Sequence, residues 1–446
     1  MCGKEKVRAA IKRTPYLVSD VNLRDADSNM RLYRGMASPW DAIKGFQETY
    51  DLLSRAGALF TVSIMHTLRI VIPDYDRCQT MLSDNWALFM DGCWDPMAGQ
   101  IEPYEDRFEI PPFLKDGQIR AAVYADKGDT MNMISGKIWY TTNDRFEKEI
   151  HRCDYDIAGP EACDLSIGGG AHFCYGLAGC PLNAMDSERI GNGDDYCVAI
   201  QETKRKYGKA AFTNESDGFD EEHREWEAYG PPVGRTREKA WPKKPHPEFI
   251  DKGYFESPTG ARWTAGELYQ ENVSGYPIAY AYNAIDLYRN EFSDEEIALW
   301  DIAAPAMFEA CGKFEFGDFH TRKATREWMN VPADINDGRV MGAWISMIFQ
   351  CRNMDFTFLK FDEDETIIEG DMMKWAMMGM YPELNELYKH IFNGNVKTLV
   401  GAQWTVDMEE DYDNNKIRYI IHKVPIGMRR HKPNLGANNF EGSTIV

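Results

Sequence analysis

No run of apolar residues in this chain is long enough to cross a bilayer. The longest, ALFTVSIMHTLRIVI (Ala58 to Ile72), is broken by His66 and Arg69 and falls short of the roughly 20 residues a spanning helix needs. The start, MCGKEKVRAAIKRT, is basic but leads into no apolar signal-peptide core, and its glycine is Gly3, so neither secretion nor myristoylation is expected. Positive charge is scarce as well. Against 71 Asp plus Glu stand 50 Lys plus Arg, and the formal charge of −21 repels phosphate backbones and anionic membranes. Nucleic acid and membranes are therefore not expected partners. Cysteine is sparse too: 10 in 446 residues is far below the density of a disulfide scaffold and suggests reduced thiols in a cytoplasmic protein, and the lack of any CxxC knuckle argues against a knuckle-type zinc site. The chain also lacks a P-loop and a GxGxxG frame, so nucleotide binding has no support.

What is there is core material. Hydrophobic residues make up 43% and aromatics 13%, and the length exceeds one ordinary domain. The stretch from Phe212 to Arg262 is rich in charge, Pro and Gly, yet carries Trp226, Trp241, Phe249, Tyr254 and Phe255. That composition suits a strap packed across a domain face. The expected division is a first domain over 1–207, the strap over 208–262, a second domain over 263–427 and a tail over 428–446.

Ser38-Pro39-Trp40-Asp41 reads as a helix start ahead of Phe46, Tyr50 and Leu53, and a second helix is expected from about Leu59 to Ile72. SGKIWYTT alternates as a strand and RFEKEIHRC as a short helix. After the strap, PIAYAYNAIDLYRNEF is helical and Ser293-Asp294-Glu295-Glu296 is a capping box for the next helix. VMGAWISMIFQC and PELNELYKHIF follow as helices, then the strands KTLVGAQWTVDME and KIRYIIHKV. Each half ends in a strand approached through acids and a tyrosine, Asp194-Asp195-Tyr196 and Glu410-Asp411-Tyr412. The expected fold is α+β, with two related domains from an internal duplication, each packing helices on a small antiparallel sheet.

Five cysteines, Cys153, Cys163, Cys174, Cys180 and Cys197, fall in one segment of the first half. His151 with Cys153 and His172 with Cys174 repeat the pattern His-x-Cys, and a thiol beside a histidine serves as nucleophile or metal ligand. Spacing does not choose between the two. Buried inert thiols are the plain alternative. Asn192-Gly193 reads as a type I′ hairpin turn, and strand alternation beyond it puts Asp195 and Cys197 on one face. Gly168, Gly169 and Gly170 resemble an anion-holding helix start. In the second half Glu315, Asp318 and His320 read as a solvated face, and FDEDET as a turn.

The phrase RIGNGDDYC (Arg189 to Cys197), closing a domain after helices and an earlier Arg152-Cys153, resembles the closing motif of the L-2-amino-thiazoline-4-carboxylic acid hydrolase-like family. That family is similar in layout to vinyl-4-reductase ligand-binding domains. The resemblance implies hydrolysis of a small cyclic amidine-like or amide-like carboxylate. On this expectation Cys174 or Cys197 is the nucleophile, His172 its base and Asp195 an orienting carboxylate, with Gly168, Gly169, Gly170 and Arg189 holding the substrate. No cofactor is expected. Two alternatives stand beside it: a non-catalytic binder or sensor of small molecules, and a zinc or other transition-metal hydrolase using His151, Cys153, His172 and Cys174. A homo-oligomer is compatible with all three.

Overall fold

The structure is a computed structural model that describes residues 26–40, 45–82, 137–142, 145–150, 153, 155–163, 182–203, 248–249, 253–256, 262–269, 276–319, 322–352, 354–372 and 382–424. In chain order the first part gives helices α1 (Ala26–Arg34) and α2 (Phe46–Val71), a helix over 75–82, and strands β1 (Lys137–Thr142) and β2 (Arg145–Ile150). A short helix begins at 160, before β3 (Leu182–Glu188) and β4 (Cys197–Thr203). A small sheet follows, β5 (Glu248–Phe249), β6 (Tyr254–Glu256) and β7 (Arg262–Thr264), then α3 (Ala265–Tyr269). The last part has helices α4 (Tyr276–Asn290), α5 (Asp294–Phe314), α6 (Arg322–Trp328) and α7 (Arg339–Cys351). It closes with β8 (Phe356–Phe361), β9 (Glu365–Asp371), α8 (Pro382–Leu399), β10 (Trp404–Asp411) and β11 (Lys416–Lys423).

The architecture is α+β with antiparallel sheets. One four-stranded sheet has the order β1-β2-β4-β3 and the other β8-β9-β11-β10, so each is two hairpins joined through their second strands. A further likeness joins the halves. Arg69 at the end of α2 pairs bidentately with Glu161, which follows Pro160, and Arg289 at the end of α4 pairs in the same way with Glu383, which follows Pro382. The two pairs span 92 and 94 residues.

Around α2 the halves interlock. Phe46, Tyr50, Leu53, Phe60, Ile64 and Leu68 recur at helical spacing and are all buried. So are Thr61, Ser63 and Thr67, whose hydroxyls donate to the carbonyls of Gly57, Leu59 and Ser63 and so enter the core satisfied. Phe60 stacks on Tyr388 of α8 with centroids 4.6 Å apart, while the Tyr280 hydroxyl of α4 donates to the Ala162 carbonyl in the first half at 2.8 Å. One continuous buried cluster runs from Leu32 to Ile421. In the second sheet, burial alternates along β9 and β11, where Ile368, Ile417, Tyr419 and Ile421 face α7 and α8.

Several expected elements change. The two helices foreseen over 42–72 are one helix from Phe46 to Val71, because Gly57 sits inside a buried face where packing outweighs its low propensity. RFEKEI, the described start of the RFEKEIHRC stretch read as a helix, is strand β2, since pairing with β1 and β4 on either side overrides the helix preference of its Glu and Lys residues. Residues 397–399 end α8 rather than begin a strand, and β10 starts at Trp404. The strap meets α1 at Gly253, which lies against Asn29 with φ +82, and just beyond the strap the Asn29 side chain accepts from the Gly266 N–H of α3 at 2.8 Å.

Helices α5 and α8 touch backbone to backbone. A Cβ on Gly312 would run into the Ile391 carbonyl oxygen, and one on Gly394 into that of Glu309. Gly312→Ala or Gly394→Ala is therefore expected to cost about 1–3 kcal/mol by overpacking, measured by urea unfolding. Gly317→Ala, whose nearest neighbour would be 3.9 Å away, is the control expected to stay close to wild type.

Candidate functional site

The cysteine segment is only partly in view. His151, Gly168, Gly169, Gly170, His172, Cys174 and Cys180 lie outside the described residues. Between β3 and β4 the chain makes a 3-10 turn over Ile190–Asn192. Asn192-Gly193 is not the two-residue hairpin turn foreseen, because only Gly193 takes the left-handed conformation, at φ +97, and the connection runs from 189 to 196. The Asp194 carboxylate closes it by accepting the Arg189 N–H at 2.7 Å. Asp195 is exposed ahead of the strand, whereas Val198 is fully buried.

Three thiols gather at this turn. Cys197 Sγ accepts the Ile190 N–H at 3.2 Å, and a Cβ on Gly191 would lie 2.7 Å from Cys163 Sγ. Cys153 senses both of them. Burial, with like-charge repulsion from Cys197 and Cys163, pushes the Cys153 thiol up to about 12, although a bond to the Tyr155 backbone favours the thiolate. At neutral pH Cys153 is thus a thiol, and it is the thiolate that attacks carbon or binds metal. Among the described residues no group of three or more His, Cys, Asp or Glu side chains converges as a metal site.

A different place has the shape of a ligand site. Between α2, α7 and α8 lies a small, partly open cavity with an interior volume of about 40 Å³. Leu53, Gly57 and Phe60 form one wall, Trp344 and Ile348 another, and Ile391 and Phe392 a third. Into this apolar lining come Glu315, Arg352, Tyr388 and Asn395. Such a mixture, mostly apolar with few convergent polar groups, is the usual make-up of a small-molecule pocket.

Glu315 is the chemically unusual member. It is 2% exposed and opens a π-helical turn, Glu315–Phe319, where α5 gives way to α6. The widened turn carries the carboxyl inward. Asn395 Nδ2 donates to the Gly312 carbonyl at 2.9 Å and to Glu315 Oε2 at 2.7 Å, so the close crossing of α5 and α8 also positions the carboxyl. Among the described residues Glu315 Oε1 has no hydrogen-bond partner. Burial pushes its pKa up to about 8 against the opposing pull of Asn395, and the group is mostly protonated at neutral pH. Arg352 is 3% exposed; its Nη2 donates to the Tyr388 hydroxyl at 2.8 Å, and its guanidinium lies 5.4 Å from that ring's centroid.

The solvated face foreseen for Glu315 is thus corrected. Its phase gave a signal, because Phe308, Gly312 and Glu315 fall at i, i+4 and i+7 on one buried stripe. His320 lies outside the described residues, as does the side chain of Asp318. Arg352, Tyr388 and Asn395 carried no such mark in the sequence. Comparison with protein-family models, curated proteins and solved structures finds no match to this chain.

The raised carboxyl has a pH signature. Between the ordinary glutamate value of 4.5 and about 8 the unfolded chain loses this proton while the folded one keeps it, so this residue's contribution to stability falls as pH rises through that window and is flat above it. Glu315→Gln should remove that slope, which approaches about 1.4 kcal/mol per pH unit. Urea unfolding of both proteins across the window measures it.

Proposed function

We propose that this protein binds a small, largely apolar molecule in the cavity between α2, α7 and α8. The observation that carries the reading is a buried carboxyl with an unpartnered oxygen set in an aromatic and aliphatic lining. Leaving a polar atom in that state costs stability, which a ligand that donates to it would recover. The two halves are, in this reading, divergent copies of one α+β unit, supported by their matching strand order and their matching Arg to Pro-Glu pairs. Likeness to vinyl-4-reductase ligand-binding domains fits the same picture. A reducing, cytoplasmic setting agrees with the free thiols at Cys78, Cys153, Cys163, Cys197, Cys311 and Cys351.

The test is native mass spectrometry of the full chain against a panel of aromatic fragments, beside the variant Ala56→Leu, which enlarges a side chain of the cavity lining. One ligand per chain is expected, lost in the variant while circular dichroism stays unchanged. Binding that ignores the substitution would sink the reading.

A second reading has its own observation. Cys153, Cys163 and Cys197 meet at the 190–193 turn, which favours the thiol-assisted hydrolase of cyclic C–N carboxylates with Cys197 as nucleophile. Cys197→Ser should then abolish turnover of a cyclic amidine carboxylate by several orders of magnitude, since removing a nucleophile does so. Unchanged turnover by the folded variant would leave Cys197 as packing.

A further inference from the structure

Glu315 offers a ligand something specific. Oε2 is engaged by Asn395, Oε1 has no hydrogen-bond partner among the described residues, and Glu315 is one of the residues lining the cavity. Of the cations on the adjoining helices α6 and α8, Arg326 donates to the Ile335 carbonyl at 2.5 Å, Arg322 to that of Val400, and Lys397 to Glu309. Arg352 is held at Tyr388. Cys311, one turn before Glu315 on the same helix, is a thiol raised by burial and adds no positive charge. Lining the same cavity as Glu315 are Phe60, Trp344 and Phe392, aromatic rings of a kind whose faces attract cations. The chain as a whole carries −21, a field that draws cations in and turns anions away.

We infer that the cavity takes its ligand through a basic nitrogen, an amine or amidine whose N–H donates to Glu315 Oε1 while an apolar body lies against Phe60, Trp344 and Phe392. The inference rests on the cavity being a ligand site and adds the chemical class of the ligand. Binding is a proton exchange: the ligand enters as the ammonium ion, the Glu315 carboxylic acid releases its proton to solvent, and a buried ammonium–carboxylate pair forms. A neutral alcohol or an organic acid would leave that proton in place.

Isothermal titration of the full chain with phenethylamine, its neutral counterpart 2-phenylethanol and the anion phenylacetate tests this, in two buffers of different ionisation enthalpy. Phenethylamine is expected to bind at least about tenfold tighter than the alcohol, to release close to one proton, and to gain about tenfold in affinity per pH unit below the Glu315 pKa. Glu315→Gln should cut phenethylamine affinity at least about tenfold and remove the proton release, with 2-phenylethanol binding kept. The assignment is overturned if the alcohol or phenylacetate binds as tightly as the amine, or if Glu315→Gln leaves amine binding intact. Failure of all three probes to bind removes the ligand-site reading itself, and this inference with it.

Discussion

Two helices can approach until their backbones touch only where neither carries a side chain at the crossing. Gly312 of α5 and Gly394 of α8 make that crossing, and much of the second half depends on it. At this distance Asn395, next to the crossing, reaches both the Gly312 carbonyl and the Glu315 carboxyl. One residue earlier than the crossing glycine, Asn393 reaches the other way and pairs with both the N–H and the carbonyl of Val406, docking β10 against the helix. The sheet, the helix pair and the buried acid are thus registered from one segment, IFNGN.

The cavity is what this close packing leaves open. Its far wall comes from α2 of the first half, where Gly57 and Phe60 face the π-helical turn and α8. Neither half encloses it alone. The cost of holding Glu315 there is set by desolvation, which penalises the charged form and is only partly offset by one amide hydrogen bond. A cationic ligand reverses that penalty, because the carboxylate then has a partner in the same low-dielectric space. At the thiol turn of the first half, burial likewise disfavours the charged form and keeps Cys153 neutral.

Much of the fold was legible from residue pattern. The capping box is present as foreseen, Ser293 Oγ accepting the Glu296 N–H and Glu296 reaching back to the Ser293 N–H at 2.8 Å. Helices α4 and α7, the first part of α8 and strands β1 and β11 lie where periodicity put them. What pattern could not supply was pairing. RFEKEI is a strand because two neighbours bond to it, and nothing local in its Glu and Lys residues reports them. The candidate site was harder still. Cysteines drew attention by their chemistry, whereas Glu315 looks like one more surface acid in FEFGDFH until the helical phase from Phe308 is followed to it. Arg352, Tyr388 and Asn395 come from separate elements, and only tertiary packing brings them to one cavity.

The central claim is that a neutral carboxylic acid faces the cavity at physiological pH and is ionised by the ligand. Difference infrared spectroscopy reads this directly, since a protonated carboxyl in a dry site has its own carbonyl stretch. The account predicts one such band near neutral pH that is missing from Glu315→Gln and that disappears when phenethylamine is added to the wild type. A spectrum without the band, or a band that persists unchanged in Glu315→Gln, would contradict it.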